Sequence, residues 1–439
     1  MKLGKSFILS VSYGDYTTGV GGIDKVVKTH NAMLNNVDIS SMYIFPFYQI
    51  NSKIRIHETN YWIMIFDGKY KGVFSTQRII DHIYDMHING WNMRGIFIHS
   101  LKNVVIEELK NILSITTSPL YFYLHDYMSV CPTAGLINSN GVFCGSSFPS
   151  SDKCSACQFY SQSVQDTVKE IKEFFRQHKN RMCFIAPSVA AKTEWLKCYS
   201  EYSDNVRVIY HQKTSDIYDG NKELISDNDK LKVAFVGYQK ELKGWRYWHD
   251  AVKYAVDNGS GIEFYQFGRV KDHFDYIKEV QVDFQESLTA MTDELRRNKI
   301  HIAVLWSIWP ETYAYTYYES WAANAFILCN RKGGNICDQA IIKGNGYVAD
   351  TPDQLKDLLS DEKKLRLLVN QYRAGKKNEA PKCLIENDEL YTLLATEDTE
   401  IQVVEKGEWC FDLRICGYAF LYRLNKLYQS MKKRGGKQQ

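Results

Sequence analysis

The stretch that decides the fold is "LKVAFVGYQKELKGWRYWHDAVKYAVDNG", residues 231–259. It opens with a short apolar run that ends in glycine, which is typical of a strand buried on both faces. After a polar loop, apolar side chains recur at helical spacing. One face of this predicted helix carries Trp245, Trp248, Val252 and Ala255. The stretch therefore predicts a strand, a loop and a helix, which is the repeating unit of a parallel sheet covered by helices.

Short apolar runs alternate with helical patterns on both sides of this stretch. The pattern "GGIDKVVKTHNAMLN" (21–35), for example, follows the first apolar run and predicts a helix. The other predicted strands are "FILSVS" (7–12), "RGIFIHS" (94–100), "LYFYLHD" (120–126), "RMCFIAPS" (181–188), "NVRVIYH" (205–211), "GIEFYQFG" (261–268), "KIHIAVLW" (299–306) and "AFILCN" (325–330). This alternation predicts an α/β fold built on parallel sheets.

A polar segment divides the alternation into two parts. Residues 212–230 are rich in Asp, Ser, Asn and Lys and lack an apolar face, which is typical of a linker. We therefore predict two doubly wound, Rossmann-like domains, 1–211 and 231–380, that face each other across a cleft. Residues 381–439 are predicted as a helical segment whose last helix, about 412–431, returns to the N-terminal domain.

Length and net charge limit the classes of protein to which the chain can belong. The chain has 439 residues and a formal net charge of +3, which suits two domains and gives no basic field for nucleic acid. No apolar run is long enough to span a membrane, and the first is too short for a signal peptide. We therefore expect a soluble, cytoplasmic protein in which most cysteines are reduced. The basic end "KKRGGK" (432–437) is expected to be a solvated tail or, alternatively, a weak contact with anionic lipid at the inner face of the plasma membrane.

Candidate phosphate-binding residues follow two predicted strands, where α/β sheets bind ligands. Gly21 and Gly22 stand at the start of the first helix, where backbone amides can approach an anion closely. Lys243 precedes another helix, which places an ammonium group beside a positive helix end and suits a diphosphate. The alternatives are a flexible turn for the glycines and a solvated side chain for the lysine.

Two glutamates mark a third loop, in "WPETYAYTYYESWAANAFILC" (309–329). The proline before Glu311 favours the first turn of a helix, so we predict a helix that begins near Glu311 and carries Glu319 about two turns further on. A carboxylate accepts hydrogen bonds from two hydroxyls, which suits the vicinal diols of sugars and ribose. The backbone amides of Thr312 and Tyr313 are expected to face the same ligand. The alternative is a helix-start glutamate followed by a surface glutamate.

Together these segments resemble the retaining glycosyltransferases of family 4 (glycosyl transferases group 1), which have the GT-B fold. The resemblance covers roughly residues 5–350 and rests on four segments. These are "GVGGIDKVV" (19–27), "YLHDYMSVCP" (123–132), "FVGYQKELKGW" (235–245) and "PETYAYTYYESWAANAFIL" (310–328), the last of which is similar to the Glu-x7-Glu motif of the family.

The resemblance implies a role for each matched residue. Glu319 would hold the ribose of a sugar nucleotide, and Glu311 would contact the hydroxyls of the transferred sugar. Lys243 would neutralise the diphosphate leaving group, and the loop at Gly22 would cap it. His125 would lie close to the reacting carbon. The implied catalytic residues are therefore Glu311, His125 and Lys243.

The implied activity is transfer of a hexose from a nucleotide-sugar donor to a hydroxyl of a glycan or lipid-linked glycan, in surface polysaccharide synthesis. The resemblance implies no catalytic divalent metal. The alternatives are a GT-B sugar-nucleotide epimerase or phosphorylase, or a non-catalytic partner that binds a nucleotide sugar. The sequence departs from the family at Tyr238, where members often carry an arginine that Lys240 or Arg269 would replace, and at Asn324, which replaces a glycine and predicts a left-handed turn.

A polar loop carries a group of cysteines. Its four thiols belong to Cys131, Cys144, Cys154 and Cys157, and the last two form a C-x-x-C pair. Such a pair is a good metal ligand, and a long loop needs something to order it, so we predict a structural zinc site here. Inert thiols and a redox disulfide are the alternatives.

Overall fold

The computed structural model describes most of the chain. The described residues are 5–47, 61–131, 133–145, 154–215, 223–282, 287–375, 380–381, 383–394, 400–403, 417–420, 422–424 and 426. Within these residues, no helix is both long enough and apolar enough to cross a membrane.

The chain groups by its contacts into two compact units. The first comprises Met1–Tyr123, Glu170–Ile185 and Asp388–Gln439, and the second comprises Leu124–Lys169 and Ala186–Asn387. These limits differ from the predicted domain boundaries, because residues 124–169 and 186–211 group with the C-terminal sheet. The predicted boundaries at 211 and 231 stay a prediction.

The first unit is built on one sheet with helices. Its elements are β1 (Ser6–Val11), α1 (Gly22–Asn35), β2 (Ile39–Pro46), β3 (Tyr61–Phe66), β4 (Lys69–Ser75), α2 (Thr76–Ile88), β5 (Asn92–Ile98), α3 (Ile106–Ser114), β6 (Leu120–Tyr123), α4 (Gln162–Gln177), which begins in the second unit, and β7 (Met182–Ala186). Within this unit the strand order is β4-β3-β2-β1-β5-β6-β7. All six residues of β1 are buried, as the continuous apolar run predicts for a central strand.

The first sheet is mixed, which corrects the prediction of parallel strands alone. Strand β1 pairs in parallel with β2 and β5, but β2 with β3 and β3 with β4 are antiparallel. The cause is local, since Asp67 and Gly68 join β3 to β4 with φ of 47° and 75°. Two positive φ values in an Asp-Gly pair are typical of the tight turn of a hairpin.

The second unit contains a fully parallel sheet. Its elements are α5 (Val189–Leu196), β8 (Val206–Val208), β9 (Gln212–Thr214), β10 (Lys232–Val236), α6 (Trp245–Asp257), β11 (Glu263–Phe267), β12 (Ile277–Val280), α7 (Ala290–Arg297), β13 (Ile302–Leu305), α8 (Tyr315–Ala322), β14 (Phe326–Asn330), α9 (Asn335–Lys343), β15 (Gly346–Ala349), α10 (Pro352–Ser360), α11 (Glu362–Ala374) and β16 (Leu384–Glu386). The parallel sheet has the order β12-β11-β10-β13-β14-β15.

Helices cover both faces of this sheet, as the opening stretch predicts. Val233 and Phe235 of β10 point into a core that includes Trp248 of α6. The alternate residues Ala234 and Val236 point into a second core with the helices of the opposite face. Successive side chains of a strand face opposite sides, so a strand that is apolar throughout can serve two cores. The sheet is doubly wound.

Both segments predicted to lie outside the domains have described structure. In the predicted linker, β9 pairs antiparallel with β16, and Ile225 is buried in the core of the second unit. In the predicted C-terminal helix, residues 417–420, 422–424 and 426 are helical, and the rest of 412–431 lies outside the described residues. Tyr418 and Tyr422 are buried in a hydrophobic cluster of the first unit.

Candidate active site

Two loops of the second unit lie side by side at the carboxyl end of its sheet. They follow β10 and β13, which are adjacent although the chain visits β11 and β12 between them. This is the point where the strand order reverses, and α/β sheets bind ligands there. The amide of Ile308 donates to the carbonyl of Leu242 at 3.1 Å, which ties the two loops together. Gly244 allows this approach with φ of 75°, because a Cβ there would lie 1.9 Å from the carbonyl oxygen of Trp306.

The two loops bring Lys243 and Glu311 into an ion pair. Lys243 Nζ lies 2.7 Å from Glu311 Oε1, and the exposed fractions of the two side chains are 35% and 5%. The hydroxyl of Ser307 donates to the same oxygen at 2.7 Å. Among the described residues no donor contacts the other carboxylate oxygen of Glu311. The site therefore holds a buried carboxylate with one oxygen occupied and a partly exposed cation beside it.

The backbone around Glu311 corrects the predicted helix start. Helix α8 begins at Tyr315, after Ala314 with φ of 59°. Glu311 instead forms a single parallel bridge with Gly334, and its carbonyl accepts from the amide of Asn335 at 2.9 Å. Backbone contacts between loops thus outweigh the preference of Pro310 for a first helical turn, and they aim Glu311 at the neighbouring loop.

Thr312 ties this loop to the segment that carries His125. Its hydroxyl donates to the carbonyl of His125 at 2.6 Å, and its own carbonyl accepts from the hydroxyl of Ser188 at 2.6 Å. Ser188 also accepts from the amide of Ala191 and so caps α5. The structure therefore brings His125, Thr312, Glu311 and Lys243 together within one unit.

A group of aromatic rings extends from His125. The ring of His211 lies 5.3 Å from the ring of His125 and 4.6 Å from that of Tyr313, measured between centroids. It also stacks with Tyr315 at 5.8 Å. Burial raises the pKa of Tyr313 and of Tyr315, and the nearby charge of Glu319 raises both pKa values further. Both tyrosines therefore stay neutral. The sequence analysis missed His211, and the signal for it was its place at the end of an apolar run.

Glu319 lies inside α8, in agreement with its predicted position on a helix. It is 5% exposed, so it is not the surface glutamate of the alternative interpretation. Its backbone carbonyl accepts from the hydroxyl of Thr292. The Glu-x7-Glu pair thus consists of two buried acidic residues, the first in a loop and the second in a helix.

Gly21 and Gly22 belong to the first unit, at the start of α1. The amide of Gly21 donates to Asp24 Oδ2 at 2.8 Å, so a residue of the helix itself satisfies one predicted phosphate donor. Burial raises the pKa of Asp24, and the hydrogen bond from Gly21 opposes this effect. A Cβ at Gly22 would meet no atom within 4 Å, so space is open beside that residue.

The two candidate substitutes for the missing arginine are both exposed. Lys240 lies over the ring of Tyr238, with Nζ 5.6 Å from the centroid. Arg269 follows β11. The structure shows a phosphate-facing role for neither, and the choice between them stays a prediction.

Among the described residues, the four cysteines of the predicted zinc loop form no disulfide and are partly exposed. The thiol of Cys144 donates to the carbonyl of Leu136 at 3.0 Å, and Cys131 Sγ lies 3.3 Å from the hydroxyl of Thr133. Among the described residues, no group of three or more His, Cys, Asp or Glu side chains is placed to hold a metal ion. Zinc at this loop therefore stays a prediction from the sequence.

Known proteins resemble this chain in structure but not in sequence. No protein-family model matches the sequence, and no curated protein sequence matches it. Among solved structures, sucrose-phosphate synthase from Thermosynechococcus elongatus is similar over 98% of this chain and 100% of its own, with 11% identity and a TM-score of 0.53. HepE from Anabaena, solved with UDP and glucose, is similar over 89% of this chain and 97% of its own, with 10% identity and a TM-score of 0.49. The likeness to sucrose-phosphate synthase, with the doubly wound second sheet, shows that the chain has the α/β fold of the GT-B class.

Proposed function

We propose that the chain is a retaining glycosyltransferase. It transfers a sugar, of hexose type, from a nucleotide-sugar donor to a hydroxyl of a glycan or lipid-linked glycan, in surface polysaccharide synthesis. The observation that carries this proposal is the Lys243–Glu311 pair at the switch point of the second sheet. A cation and a carboxylate placed together there match the two parts of a nucleotide sugar, since one is anionic and the other is a polyol.

Lys243 stabilises the leaving diphosphate in this proposal. Negative charge grows on the diphosphate as its bond to the sugar breaks, and a fixed cation near it lowers the barrier. Glu311 holds the ammonium group in place before the donor arrives, and 35% of the lysine side chain is exposed and can be reached. The donor phosphate then becomes a second partner of the same cation.

Glu311 binds the sugar through its second carboxylate oxygen. Its first oxygen already accepts from Lys243 and Ser307, so the carboxylate is held in one orientation. The second oxygen has lone pairs that accept from sugar hydroxyls. Ser307 is then a positioning residue, because it touches Glu311 and not the sugar.

The remaining roles follow the sequence resemblance. His125 lies near the reacting carbon, and its segment is held by Thr312, which donates to its carbonyl. Glu319 holds the ribose, and the amides of Thr312 and Tyr313 face the donor. For Gly21 and Gly22, the resemblance implies contact with the diphosphate. We expect the reaction to need no divalent metal, which EDTA treatment of the active enzyme checks.

The experiment begins with a panel of UDP-, ADP- and GDP-sugars screened by thermal shift, because a true donor stabilises the folded state. Release of nucleoside diphosphate is then measured with glycan acceptors for wild type, Glu311→Gln and Glu241→Gln. Glu311→Gln should lose roughly 100-fold or more of the rate, as expected when a group that positions charge is removed. Glu241→Gln makes the same chemical change at an exposed carboxylate of the neighbouring loop and is the matched control. Full activity of Glu311→Gln would contradict the proposal.

The same assays separate the alternatives. An NMR spectrum of the product gives its anomeric configuration, and an inverted product would contradict retention. Consumption of the donor without any acceptor would indicate an epimerase, and dependence on inorganic phosphate would indicate a phosphorylase. Donor binding with no turnover across the panel would indicate a non-catalytic binding protein.

A further inference from the structure

The loop between β1 and α1 is organised by one carboxylate. Asp15 Oδ1 accepts from the amide of Thr17 at 2.9 Å and from its hydroxyl at 2.6 Å. The backbone carbonyl of Asp15 accepts from the amides of Thr18 and Gly19 at 3.3 and 3.0 Å. The carboxylate and the backbone carbonyl of Asp15 therefore hold residues 15–19 in a compact turn.

The other oxygen of the same carboxylate is held from the far end of the chain. Tyr422 donates its hydroxyl to Asp15 Oδ2 at 2.6 Å, and Lys426 Nζ lies 3.2 Å from that oxygen. Lys426 also donates to the hydroxyl of Thr17 at 3.3 Å. Both residues belong to the helical residues 417–420, 422–424 and 426, which we call the C-terminal helix.

Aromatic packing fixes the C-terminal helix on the first unit. The ring of Tyr422 stacks on Tyr70 at 4.9 Å between centroids, and Tyr418 stacks on Phe47 at 4.6 Å. Both tyrosines are buried in the cluster formed with β2 and β3. The hydroxyl of Tyr422 is therefore held by packing, and its hydrogen bond to Asp15 carries little additional cost in side-chain entropy.

The charges around Asp15 favour its ionised form, which is the form that accepts hydrogen bonds from Tyr422 and Lys426. Burial raises the pKa of Asp15, but the hydrogen bonds from Thr17 and Tyr422 and the charge of Lys426 outweigh it and leave this pKa below its usual value. Burial and the same contact raise the pKa of Tyr422, which stays a neutral donor. Asp15 is thus an ionised acceptor at neutral pH.

The turn at Asp15 leads directly into the glycines at the start of α1. A Cβ on Gly19 would lie 2.2 Å from the carboxyl carbon of Asp24, so the turn packs against that side chain. Asp24 in turn accepts from the amide of Gly21 at 2.8 Å. The loop also lies where the strand order of the first sheet reverses, between β1 and β5. The shape of this loop at a ligand-binding edge therefore depends on Asp15.

We propose that Tyr422 and Lys426 are positioning residues that hold the loop at residues 13–22, through Asp15, in the shape that takes a nucleoside diphosphate. The choice of a nucleoside diphosphate as the ligand rests on the proposed function. The positioning of the loop rests on the contacts of Tyr422 and Lys426 with Asp15, which we call the clamp. It assigns to the C-terminal helix a part in donor affinity, in addition to its packing. The helix acts without touching the donor.

The test compares wild type with the double variant Tyr422→Phe/Lys426→Met. Hydrogen exchange of peptides that cover residues 12–24 reports the shape of the loop in the ligand-free protein. Titration with UDP, ADP and GDP reports diphosphate affinity, and donor KM and kcat are measured on the active enzyme. We expect exchange at Thr17 and Gly19 to rise at least tenfold and diphosphate affinity to fall roughly tenfold, as when a hydrogen bond to a charged group is lost. We expect donor KM to rise with it and kcat to change little.

Matched controls separate the clamp from general damage to the helix. Tyr70→Phe removes a buried hydroxyl that has no hydrogen-bond partner among the described residues. Arg423→Met removes a cation of the C-terminal helix that lies over the ring of Tyr70. Lys426→Arg keeps the charge beside Asp15. All three should behave as wild type, and a control that matched the double variant would overturn the inference.

Two results would contradict the inference in different ways. Unchanged exchange in the double variant would show that the C-terminal helix does not hold the loop. Raised exchange with unchanged diphosphate affinity would show that the loop does not serve the donor. A wild-type protein that binds a nucleoside diphosphate but transfers no sugar would refute the proposed transferase, while the exchange and binding results would still decide the clamp.

Discussion

Removal of Lys243 and removal of the charge on Glu311 should have unequal effects on stability. The two side chains form one ion pair at 2.7 Å, but their exposed fractions are 35% and 5%. The variant Lys243→Met leaves a charged carboxylate buried with one donor, Ser307. The variant Glu311→Gln leaves an ammonium group that can turn towards water, and the new amide oxygen keeps the hydrogen bond from Ser307.

The magnitude follows from which group is left without a partner. Loss of a hydrogen bond to a charged group costs about 1.5–3 kcal/mol. Breaking a fully buried ion pair costs about 3–5 kcal/mol. Because Lys243 is partly exposed, water can replace part of the interaction that Glu311 loses with the ammonium group. We therefore expect Lys243→Met to lower the free energy of unfolding by about 2 kcal/mol. Glu311→Gln should lower it by less than about 1 kcal/mol, because no charge is left buried.

The assay is urea unfolding at pH 7, followed by circular dichroism, with the shift in midpoint compared among variants. Lys240→Met is the matched control, since it removes an exposed cation from the same loop and should leave the midpoint unchanged. The double variant Lys243→Met/Glu311→Gln should regain most of the stability that Lys243→Met loses. The reasoning is refuted if Glu311→Gln costs as much as Lys243→Met, or if the double variant is the least stable of the three.

Three further predictions concern other parts of the chain. Gly244→Ala should destabilise the protein by several kcal/mol more than Gly259→Ala, measured by urea unfolding. Both sites have positive φ, of 75° and 77°, which costs about 1–2 kcal/mol, but only at Gly244 would the new Cβ meet a backbone oxygen at 1.9 Å. Burial, with nearby arginine and lysine charges, holds the pKa of His301 at about 4, so the folded state resists its protonation. The free energy of unfolding should therefore fall as pH drops from about 6.5 towards 4, by at most about 1.4 kcal/mol per pH unit, and His301→Asn should weaken this dependence in midpoints measured at pH 7.0, 5.5 and 4.5. The cysteine loop should carry zinc detectable by elemental analysis, and Cys154→Ser/Cys157→Ser should lose it, whereas a folded wild-type protein free of zinc would contradict the site.

Four of the six strands of the second sheet, β10, β11, β13 and β14, were predicted because their signal is local, whereas β12 and β15 were not. A strand buried between two layers of helices is apolar almost throughout, as β13 and the last four residues of β10 show in the sequence. The antiparallel hairpin of β3 and β4 escaped the sequence analysis, although Asp67 and Gly68 are a recognised turn pair. Its strands follow an uninformative polar stretch, and the periodicity of one strand does not reveal which strand will pair with it.

The sequence alone predicted the alternation of strands and helices and placed Lys243 and Glu311 after strands, although it also predicted a helix start near Glu311 that the structure puts at Tyr315. It also determined the left-handed turn at Asn324, with φ of 59° in the structure, because few residues other than glycine and asparagine tolerate that conformation. Only the tertiary structure decided that Lys243 pairs with Glu311, that Ser188 and Thr312 hold the segment of His125, and that Tyr422 reaches Asp15. Propensity and periodicity act over a few neighbouring residues, whereas these contacts depend on strand order and on helices that pack from far along the chain.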